Sequence, residues 1–385
     1  MQRISIFTST RAEYGLLYWL IKELHESEDF EMQLVVTGTH LSHEYGYTVN
    51  DILADGFTPT EYIATLISED SPQAITRSSA MLAMALGDYF AREQPDFFIV
   101  LGDRVELLAA CEAAMIAKVP IVHLHGGEIT EGAVDEKVRH AVSKLASLHF
   151  VSTEAYRRRV IQMGECPERV FNCGALGLES MARQSIVPRE ELAEKIGLTP
   201  REKYFLVVYH PETNKESENI DALLKALADY PDVKKLIIYP NSDIMSRDII
   251  EAIQTFAERF ADEVMLIKSL PRDLYLSLMK HCELYIGNSS SGIIEMPTFK
   301  RPIINVGDRQ KGRIRSSATL DVRLDYQEIA STMRTALSEA YALQLVSVDN
   351  PYQGRSPSSS IVAELRKFSR RGGLDKIFFD LEFEL

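Results

Sequence analysis

The 385-residue chain has only four cysteines, and no two of them form a C-x-x-C pair. This scarcity argues against a zinc ribbon and against a thioredoxin-type redox motif. No apolar stretch follows the opening residues MQRISIFTST, as a secretory signal would require. No apolar run approaches the roughly 20 residues that cross a bilayer. We therefore expect a cytoplasmic protein with reduced thiols and no membrane partner.

Positive charge is scarce as well, because 42 Lys and Arg residues stand against 56 Asp and Glu and give a formal net charge of −14. This balance argues against nucleic acid as a partner. An anionic ligand would need a local cluster of cations. Glycine and proline are not enriched, at 20 and 15 residues, so long disordered stretches are not expected. The length suggests about two domains.

Short apolar runs alternate with longer helical patterns along the chain. The runs before a pause near residue 175 are RISIFTS, MQLVVTG, DFFIVLGD, VPIVHLHG and LHFVST, and those after it are YFLVVYHP, KKLIIYPN, EVMLIKS, CELYIGN and RPIINVG. Continuous apolar runs are typical of strands covered on both faces, and strand–helix alternation indicates a doubly wound parallel sheet. The sequence predicts two Rossmann-like α/β domains, at 1–176 and 177–364, and a segment 365–385 that returns to the N-terminal domain.

Ligands of such sheets bind beyond the carboxyl ends of the strands, so the residues after each strand are the candidates. The stretch GNSSSGIIEMP follows the strand ELYI. Small residues that lead into a helix present backbone N–H groups to a phosphate or diphosphate. The candidate phosphate ligands are Ser289, Ser290, Ser291 and Gly292, and Glu295 is placed to accept from ribose hydroxyls. The alternative is a serine N-cap without a ligand.

The next loop, INVGDRQKGRIRS, is basic in an acidic chain. Its cations are Arg309, Lys311, Arg313 and Arg315, against the single acid Asp308. Together with the serine turn they predict a cradle for a nucleotide diphosphate. The alternative is a solvated basic loop.

His210 follows a strand in the stretch YHPETN. One interpretation is a buried structural histidine. The other is a histidine that contacts a diphosphate leaving group or its proton.

The first half lacks the G-x-G-x-x-G fingerprint of dinucleotide-binding proteins, and its first strand leads into STRAEYG instead. Arg11 in this stretch is a candidate anion contact. Asp103 and Arg104 follow another strand, in VLGDRVE. For Asp103 the alternative to catalysis is the N-cap of the following helix.

The stretch HLHGGEITEGAVDEKVRH gathers many proton-carrying side chains behind a buried strand. His123 and His125 alternate along the strand end and are expected to share a face. Gly126 and Gly127 allow a sharp turn or the close approach of a ligand. Glu128 lies just beyond them.

The helix after that stretch contributes further charges. Asp135 stands at its start and Arg139 one turn later, at the spacing of a supporting ion pair. A zinc site is the weaker interpretation, because the spacing specifies no third ligand. General acid–base chemistry is the better one. We expect no metal and no cofactor.

These motifs together resemble the UDP-N-acetylglucosamine 2-epimerase family, and more closely its hydrolysing bacterial branch. STRAEYG, VLGDR, HLHGGE, DEKVRH, SKLASLHF, YHPET, GNSSSGIIE and GDRQKGR occur in family order over most of the chain. The resemblance implies a glycosyltransferase-B-like fold in which two Rossmann-like domains face a cleft. It implies a UDP-sugar substrate and a homodimer or homotetramer.

The implied reaction converts UDP-N-acetylglucosamine and water to N-acetylmannosamine and UDP through a 2-acetamidoglucal, as the first step of sialic acid synthesis. Matched to the family's motifs, the acid–base residues are Asp103, Asp135 and His210, with Arg139 as their support. The UDP-binding residues are Ser290, Ser291, Glu295 and Arg309.

One position departs from part of the family. Many members have a glutamate where this chain has His125. The residue that removes the proton at sugar carbon 2 therefore stays open among Asp103, His125, Glu128 and Asp135.

Three alternatives remain beside this function. The same chemistry could act on a UDP-diacetamido-trideoxyhexose, as in legionaminic acid synthesis. A glycosyltransferase of the same architecture would need an acceptor but not the proton-handling loop. A non-catalytic UDP-sugar sensor would tolerate the loss of Asp103 and Asp135, and this chain retains both.

Overall fold

The structure is a computed structural model in two compact units. It describes residues 1–69, 71–131, 134–211, 219–240, 246–268, 270–354, 356–368 and 376–382. Unit 1 comprises Met1–Glu128, Val134–Ser180 and Tyr352–Leu385, and unit 2 comprises Ile129–Ala133 and Met181–Pro351. Part of the YHPETN stretch, at 212–214, and much of the predicted segment 365–385 lie outside the described residues.

Unit 1 is built on a seven-stranded sheet with the order β3-β2-β1-β4-β5-β6-β7. All of its neighbouring strands are parallel. The strands are β1 (Gln2–Thr8), β2 (Phe30–Thr37), β3 (Glu61–Ile63), β4 (Phe97–Leu101), β5 (Ile121–Leu124), β6 (Leu148–Val151) and β7 (Val170–Asn172). The five predicted strands of this half are confirmed, and the short edge strands β3 and β7 are additional.

Helices cover both faces of this sheet, because the central strands carry apolar side chains on both sides. They are α1 (Arg11–His25), α2 (Val49–Ala54), α3 (Pro72–Glu93), α4 (Glu106–Ile116), α5 (Val134–Leu145), α6 (Glu154–Gln162) and α7 (Leu176–Arg183). One core cluster joins α1 to one face of the strands, and another joins α3 and α4 to the opposite face. The start of α1 is set by a capping box between Thr10 and Glu13.

Unit 2 contains a six-stranded parallel sheet with the order β10-β9-β8-β11-β12-β13. Its strands are β8 (Tyr204–Val208), β9 (Lys234–Ile238), β10 (Val264–Ile267), β11 (Leu284–Gly287), β12 (Ile303–Val306) and β13 (Thr319–Val322). Its helices are α8 (Arg189–Ile196), α9 (Asp221–Ala228), α10 (Ser246–Arg259), α11 (Arg272–His281), α12 (Ser290–Ile294), α13 (Tyr326–Ala336) and α14 (Glu339–Leu345). The predicted strands of this half are confirmed, and the edge strand β13 is additional.

The chain returns to unit 1 at Tyr352, earlier than the predicted boundary at 364. The reason is the last helix, α15 (Pro357–Leu365), whose side chains Ile361, Val362 and Leu365 are buried in the same core cluster as α1. The division after Ser180 falls within α7, close to the predicted 176. Among the described residues, no helix is long and apolar enough to cross a membrane.

The described C-terminal residues 376–382 contact unit 1 around one carboxylate. Lys376 Nζ donates to Glu165 Oε2 at 2.5 Å and to the Ala146 carbonyl at 2.6 Å. Lys144 Nζ and His149 Nε2 lie 2.6 and 3.1 Å from the two oxygens of Glu165. Burial alone would raise the pKa of Glu165, but the hydrogen bonds from His149, Lys144 and Lys376 outweigh it and lower that pKa to about 2.

This cluster predicts an acid-sensitive contribution to stability. The folded pKa of Glu165 lies below its ordinary value of 4.5, so its stabilising effect is present above pH 4.5 and is lost as pH falls toward 2. Urea unfolding of wild type and of Glu165→Gln, at a series of pH values across this window, measures the difference. We expect the wild-type advantage to shrink steadily with falling pH. A difference that does not change with pH would contradict the prediction.

The order of each sheet reverses at one point, and such switch points form crevices at the carboxyl ends of the strands. In unit 1 the reversal lies between β1 and β4, and Asp103 follows β4. In unit 2 it lies between β8 and β11, which are followed by His210 and Asn288. The topology thus places candidate residues of both halves at switch points.

Candidate functional site

Asp103 is held by a buried arginine from another element. Its carboxylate Oδ2 accepts a hydrogen bond from Arg139 of α5, and the Arg139 side chain is only 1% exposed. Arg139 also donates to the Glu128 carbonyl at 2.9 Å and to the Glu136 carboxylate at 3.2 Å. A buried guanidinium requires such acceptors, and it favours the ionised form of Asp103 in return. The pair therefore fixes an anionic carboxylate at the switch point of unit 1.

The alternative role of Asp103, as a helix N-cap, is wrong. Helix α4 begins at Glu106, and its N-cap is Val105, which makes no side-chain cap hydrogen bond. The Asp103 side chain is instead 28% exposed. It is thus both positioned by Arg139 and open to a ligand.

His125 and Glu128 form a second, more enclosed pair. His125 Nδ1 lies 3.0 Å from Glu128 Oε1, and Ser152 Oγ donates to the same oxygen at 2.9 Å. The Leu176 backbone N–H donates to His125 Nε2 at 3.3 Å. Because Nε2 accepts, Nδ1 carries the proton and donates it to Glu128. The Glu128 side chain is only 5% exposed, much less than that of Asp103.

The alternation predicted that His123 and His125 share a face, and this prediction is wrong. His123 is buried within the sheet. Strand β5 ends at Leu124, and His125 has a left-handed φ of 62°, so the alternation stops there. His123 Nε2 lies 2.8 Å from the Gly102 carbonyl, and its Nδ1 lies 3.1 Å from Ser143 Oγ. Burial lowers the pKa of His123 to about 3, so it stays neutral.

The two glycines of this turn serve the packing. A Cβ on Gly126 would lie 2.9 Å from Ser143 Oγ and 3.0 Å from His123 Nδ1, and one on Gly127, at φ +76°, would lie 2.7 Å from the Tyr156 carbonyl. Glycine is therefore required for the close approach of these elements. Within the described ranges, no group of three or more His, Cys, Asp or Glu side chains could hold a metal ion.

Arg104 follows β4 at the carboxyl end of the unit 1 sheet and lies among carboxylates. Its Nη2 donates to Glu106 at 3.1 Å. Burial alone would lower the pKa of Arg104, but the charges of Glu106, Glu13 and Asp135 raise it above its ordinary value. Asp135 lies in the first turn of α5 and contributes to the field at Arg104.

Arg11 is more peripheral. It is the first residue of α1 and forms an ion pair of 3.4 Å with Asp51, with side chains 65% and 52% exposed. Such exposed pairs are weak and easily exchanged for another anion. The structure leaves Arg11 available to a ligand without fixing its position.

Asn288 organises the switch point of unit 2. Its Oδ1 accepts from the His210 backbone N–H at 2.7 Å, and its Nδ2 donates to the His210 carbonyl at 2.8 Å. Its own carbonyl accepts from Arg309 Nη1 at 3.2 Å and from Gln310 Nε2 at 2.9 Å. This fully buried amide thus joins the ends of β8 and β11 to the basic loop.

His210 is nearly buried, at 7% exposed. Burial, together with the positive charge of Arg309, lowers the pKa of the His210 side chain to about 4. The imidazole is therefore neutral at physiological pH. A neutral histidine next to an arginine can donate a hydrogen bond to an anion or accept a proton from a leaving group.

The serine turn is partly a capping motif and partly open. Ser289 is the N-cap of α12, and its side chain accepts from the Ser291 N–H at 3.4 Å. Ser290 and Ser291 begin the helix and are half-buried. Gly292 is a packing requirement, because a Cβ there would lie 2.7 Å from the ring of Tyr285. The capping interpretation is thus correct for Ser289, and the Ser291 side chain is hydrogen-bonded to Tyr275.

Glu295 lies directly after α12 and is buried. Its Oε1 accepts a hydrogen bond from Arg272 of α11. In the described part of the chain its other oxygen, Oε2, is buried and has no hydrogen-bond partner. Buried carboxylate oxygens normally accept hydrogen bonds, so Oε2 is a candidate acceptor for a hydroxyl donor.

The cations of the basic loop separate into two groups. Arg315 is bound within the unit, to Asp321 at 2.8 Å and to the Arg313 and Gln310 carbonyls at 2.9 and 3.0 Å. Lys311 is exposed. Arg309 points to the Asn288 carbonyl, beside His210. Arg313 is half-buried and follows in the same loop, so Arg309 and Arg313 remain the candidate anion ligands of this loop.

A family model described as UDP-N-acetylglucosamine 2-epimerase matches residues 22–366. The chain belongs to the UDP-N-acetylglucosamine 2-epimerase family. The resemblance and the fold class predicted from the sequence are therefore confirmed. This member of the family has two parallel-sheet α/β units with interleaved helices.

Relatives of this epimerase-family chain carry more than one name. It is 34% identical over 386 residues to polysialic acid biosynthesis protein P7 of Escherichia coli, with 99% of this chain and 98% of that protein covered. It is 37% identical over 342 residues to UDP-N,N'-diacetylbacillosamine 2-epimerase (hydrolyzing) of Legionella pneumophila, with 88% and 90% covered. The structure of Neisseria meningitidis UDP-GlcNAc 2-epimerase bound to UDP-GlcNAc has a TM-score of 0.79 at 18% identity, covering 96% and 100%.

Sequence reasoning overlooked several residues of this epimerase-family site. Asn288 was visible in G-N-S-S-S, directly after a strand, where a buried amide often bridges two loops. No sequence pattern indicated Arg272 and Ser152, because their hydrogen-bond partners Glu295 and Glu128 lie 23 and 24 positions away in the chain. Only the folded chain identifies such partners.

Proposed function

We propose that the protein is a hydrolysing 2-epimerase that converts UDP-N-acetylglucosamine and water to N-acetylmannosamine and UDP. The observation that carries the proposal is the partly exposed Asp103 carboxylate, fixed by the buried Arg139 at the switch point of unit 1. Removal of a weakly acidic proton from carbon requires such a fixed base. N-acetylmannosamine made in this way would supply sialic acid synthesis.

The reaction divides into an elimination and a hydration. A carboxylate of unit 1 removes the proton at sugar carbon 2. The two candidates are Asp103, which is the more exposed, and Glu128, which is the more enclosed. The bond from carbon 1 to the UDP oxygen breaks, and a 2-acetamidoglucal and UDP result. Water then adds its hydroxyl at carbon 1, and a proton returns to the other face of carbon 2. Two faces of one carbon require two proton carriers, for which Asp135 and the Glu128 pair are further candidates.

His125 positions Glu128 in this proposal and does not act as the carbon-2 base itself. Its Nε2 already accepts from the Leu176 N–H, and its Nδ1–H donates to Glu128. Protonation of Nε2 would break the first of these hydrogen bonds. The histidine that replaces the family's glutamate therefore acts through the carboxylate beside it.

The face of unit 2 supports UDP binding. Glu295 Oε2 is buried and without a partner among the described residues, which suits a ribose hydroxyl. Arg309 and Arg313 supply cations for the diphosphate, and Ser290 and Ser291 supply hydroxyl and backbone donors. Neutral His210, next to Arg309, would contact the leaving phosphate.

A second substrate is favoured by one observation. The relative from Legionella pneumophila, 37% identical over 88% of this chain, is named for UDP-N,N'-diacetylbacillosamine. The chemistry at carbons 1 and 2 would be the same, and only the groups at carbons 4 and 6 would differ. The same experiment therefore includes both sugars.

Proton NMR in heavy water tests the proposed function. With UDP-N-acetylglucosamine we expect free UDP and N-acetylmannosamine that carries deuterium at carbon 2, since the returning proton comes from solvent. UDP-N-acetylmannosamine without free UDP would contradict hydrolysis. If only the diacetylated UDP-sugar is turned over, that sugar is the substrate in place of UDP-N-acetylglucosamine. If neither sugar is turned over, the proposal is overturned.

A further inference from the structure

Helix α11 contacts two of the side chains proposed to bind UDP. Arg272, its first residue, donates a hydrogen bond to Glu295 Oε1, and Tyr275 is hydrogen-bonded to the Ser291 side chain. Arg272 and Tyr275 are three positions apart and therefore lie on the same side of the helix. Neither of them belongs to the proposed set of UDP ligands. The helix thus supports two ligand side chains through two side chains of its own.

Arg272 holds one oxygen of the Glu295 carboxylate. The Glu295 side chain is 6% exposed and that of Arg272 is 38% exposed, so the pair is largely shielded from water. The second oxygen, Oε2, is buried and accepts no hydrogen bond within the described residues. Because the carboxylate is planar and one of its oxygens is held, its rotation is restricted. Arg272 therefore sets the direction in which Oε2 can accept a hydroxyl.

Two tyrosine hydroxyls hold the serine turn. Tyr275 Oη lies 3.3 Å from the Oη of Tyr285 on β11, and these two phenols are hydrogen-bonded to the side chains of Ser291 and Ser289. Burial, and next the charge of Glu295, raise the pKa of Tyr275 to about 12, which shows that the carboxylate is close to this phenol. A serine hydroxyl that accepts from a tyrosine keeps its own proton for a phosphate oxygen.

We propose that Arg272 and Tyr275 are positioning residues of the UDP site with separate tasks: Arg272 orients Glu295 toward a ribose hydroxyl, and Tyr275 orients Ser291 toward the diphosphate. The inference rests on the proposed UDP-binding face of unit 2 and not on the reaction at sugar carbon 2. A buried acceptor rejects an analogue that lacks the matching hydroxyl, because the acceptor is then left unpaired. Through Arg272 the site therefore selects ribonucleotides over deoxyribonucleotides.

Calorimetric titration with UDP, 2′-deoxy-UDP and 3′-deoxy-UDP tests the task of Arg272. We expect wild type to bind at least one deoxy analogue roughly tenfold more weakly than UDP. Arg272→Met should bring this ratio close to one, and Arg272→Lys should restore part of it because the cation is retained. A wild type without ribose discrimination, or an Arg272→Met variant that keeps the wild-type ratio, would overturn this task.

Arg189→Gln is the matched control for the arginine variants. Arg189 Nη1 donates to the His281 carbonyl at the other end of α11, at 3.0 Å. Loss of this hydrogen bond should lower the thermal midpoint, as loss of the Arg272 pair should, but the ratio of UDP to deoxy-UDP affinity should stay at its wild-type value. A ratio that falls equally in Arg189→Gln and Arg272→Met would assign Arg272 a structural role alone and overturn its positioning role.

Tyr275→Phe tests the second task, because it removes only a hydroxyl. UDP and its deoxy analogues should all bind roughly threefold to tenfold more weakly, so the ribose ratio should not change. Uridine lacks the diphosphate, and its affinity, measured by NMR titration, should stay at the wild-type value. Tyr204→Phe is the matched control, since Tyr204 Oη donates to the Leu278 carbonyl of α11 at 2.9 Å, and it should leave UDP affinity unchanged. A Tyr275→Phe variant that binds UDP as tightly as wild type would refute this task.

A double variant shows whether Arg272 acts through Glu295. Addition of Arg272→Met to Glu295→Ala should cause no further loss of UDP affinity, whereas independent contacts with the nucleotide would add. Additive losses would overturn the positioning role. None of these titrations requires turnover: a wild type that binds UDP as expected but does not hydrolyse the UDP-sugar would overturn the proposed function and leave this inference intact. A wild type that does not bind UDP would overturn both.

Discussion

Asp103→Asn should lower turnover by roughly 10³-fold and leave UDP affinity within about twofold of wild type. The amide has nearly the same shape as the carboxylate, but it cannot take a proton from carbon. The substitution also removes the negative charge that pairs with Arg139, whose side chain is only 1% exposed. UDP affinity should persist because the proposed UDP ligands belong to unit 2. Initial rates of UDP release and calorimetric titration with UDP measure the two quantities.

The control for this variant is Asp51→Asn. Asp51 also pairs with an arginine, Arg11, but both side chains are more than half exposed. Loss of an exposed pair changes little, so turnover should stay within about twofold of wild type. The thermal midpoint of Asp103→Asn shows whether the unpaired Arg139 destabilises the fold. Turnover within about tenfold of wild type in Asp103→Asn would contradict the role of this residue.

Asn288→Ala should weaken UDP binding by roughly a hundredfold. The substitution removes both hydrogen bonds to the His210 backbone, and it leaves a buried N–H and a buried carbonyl without partners. Each unsatisfied group costs about 1–3 kcal/mol. The loop ends would rearrange, and His210 and Arg309 would no longer meet the diphosphate together. Calorimetric titration with UDP measures the affinity.

Asn305→Ala is the matched control, because Asn305 is also a buried amide in the sheet of unit 2. Its Nδ2 donates to Asp321 at 2.7 Å, away from His210. Both variants should lower the thermal midpoint, since both lose buried hydrogen bonds. Only Asn288→Ala should lose UDP affinity. Equal UDP affinities in the two variants would show that Asn288 has a structural role alone.

The central strands could be predicted from the sequence because each is a continuous apolar run. Runs such as FFIVL and YFLVV are buried on both faces, so every position in them carries an apolar side chain. The strands β3, β7 and β13 could not be predicted in the same way. They lie at the sheet edges, span three or four residues and carry exposed positions, so their apolar signal is weak.

The sequence by itself determined the α/β class, the family and the placing of candidate residues just after buried strands. Only the tertiary structure decided which side chains act together. It paired Asp103 with Arg139, Glu295 with Arg272, and Asn288 with His210, and it assigned the His125 side chain to Glu128 and to the Leu176 N–H. The physical reason is range: a hydrogen bond acts over about 3 Å. Partners distant in the sequence meet at this separation only after the sheets have formed.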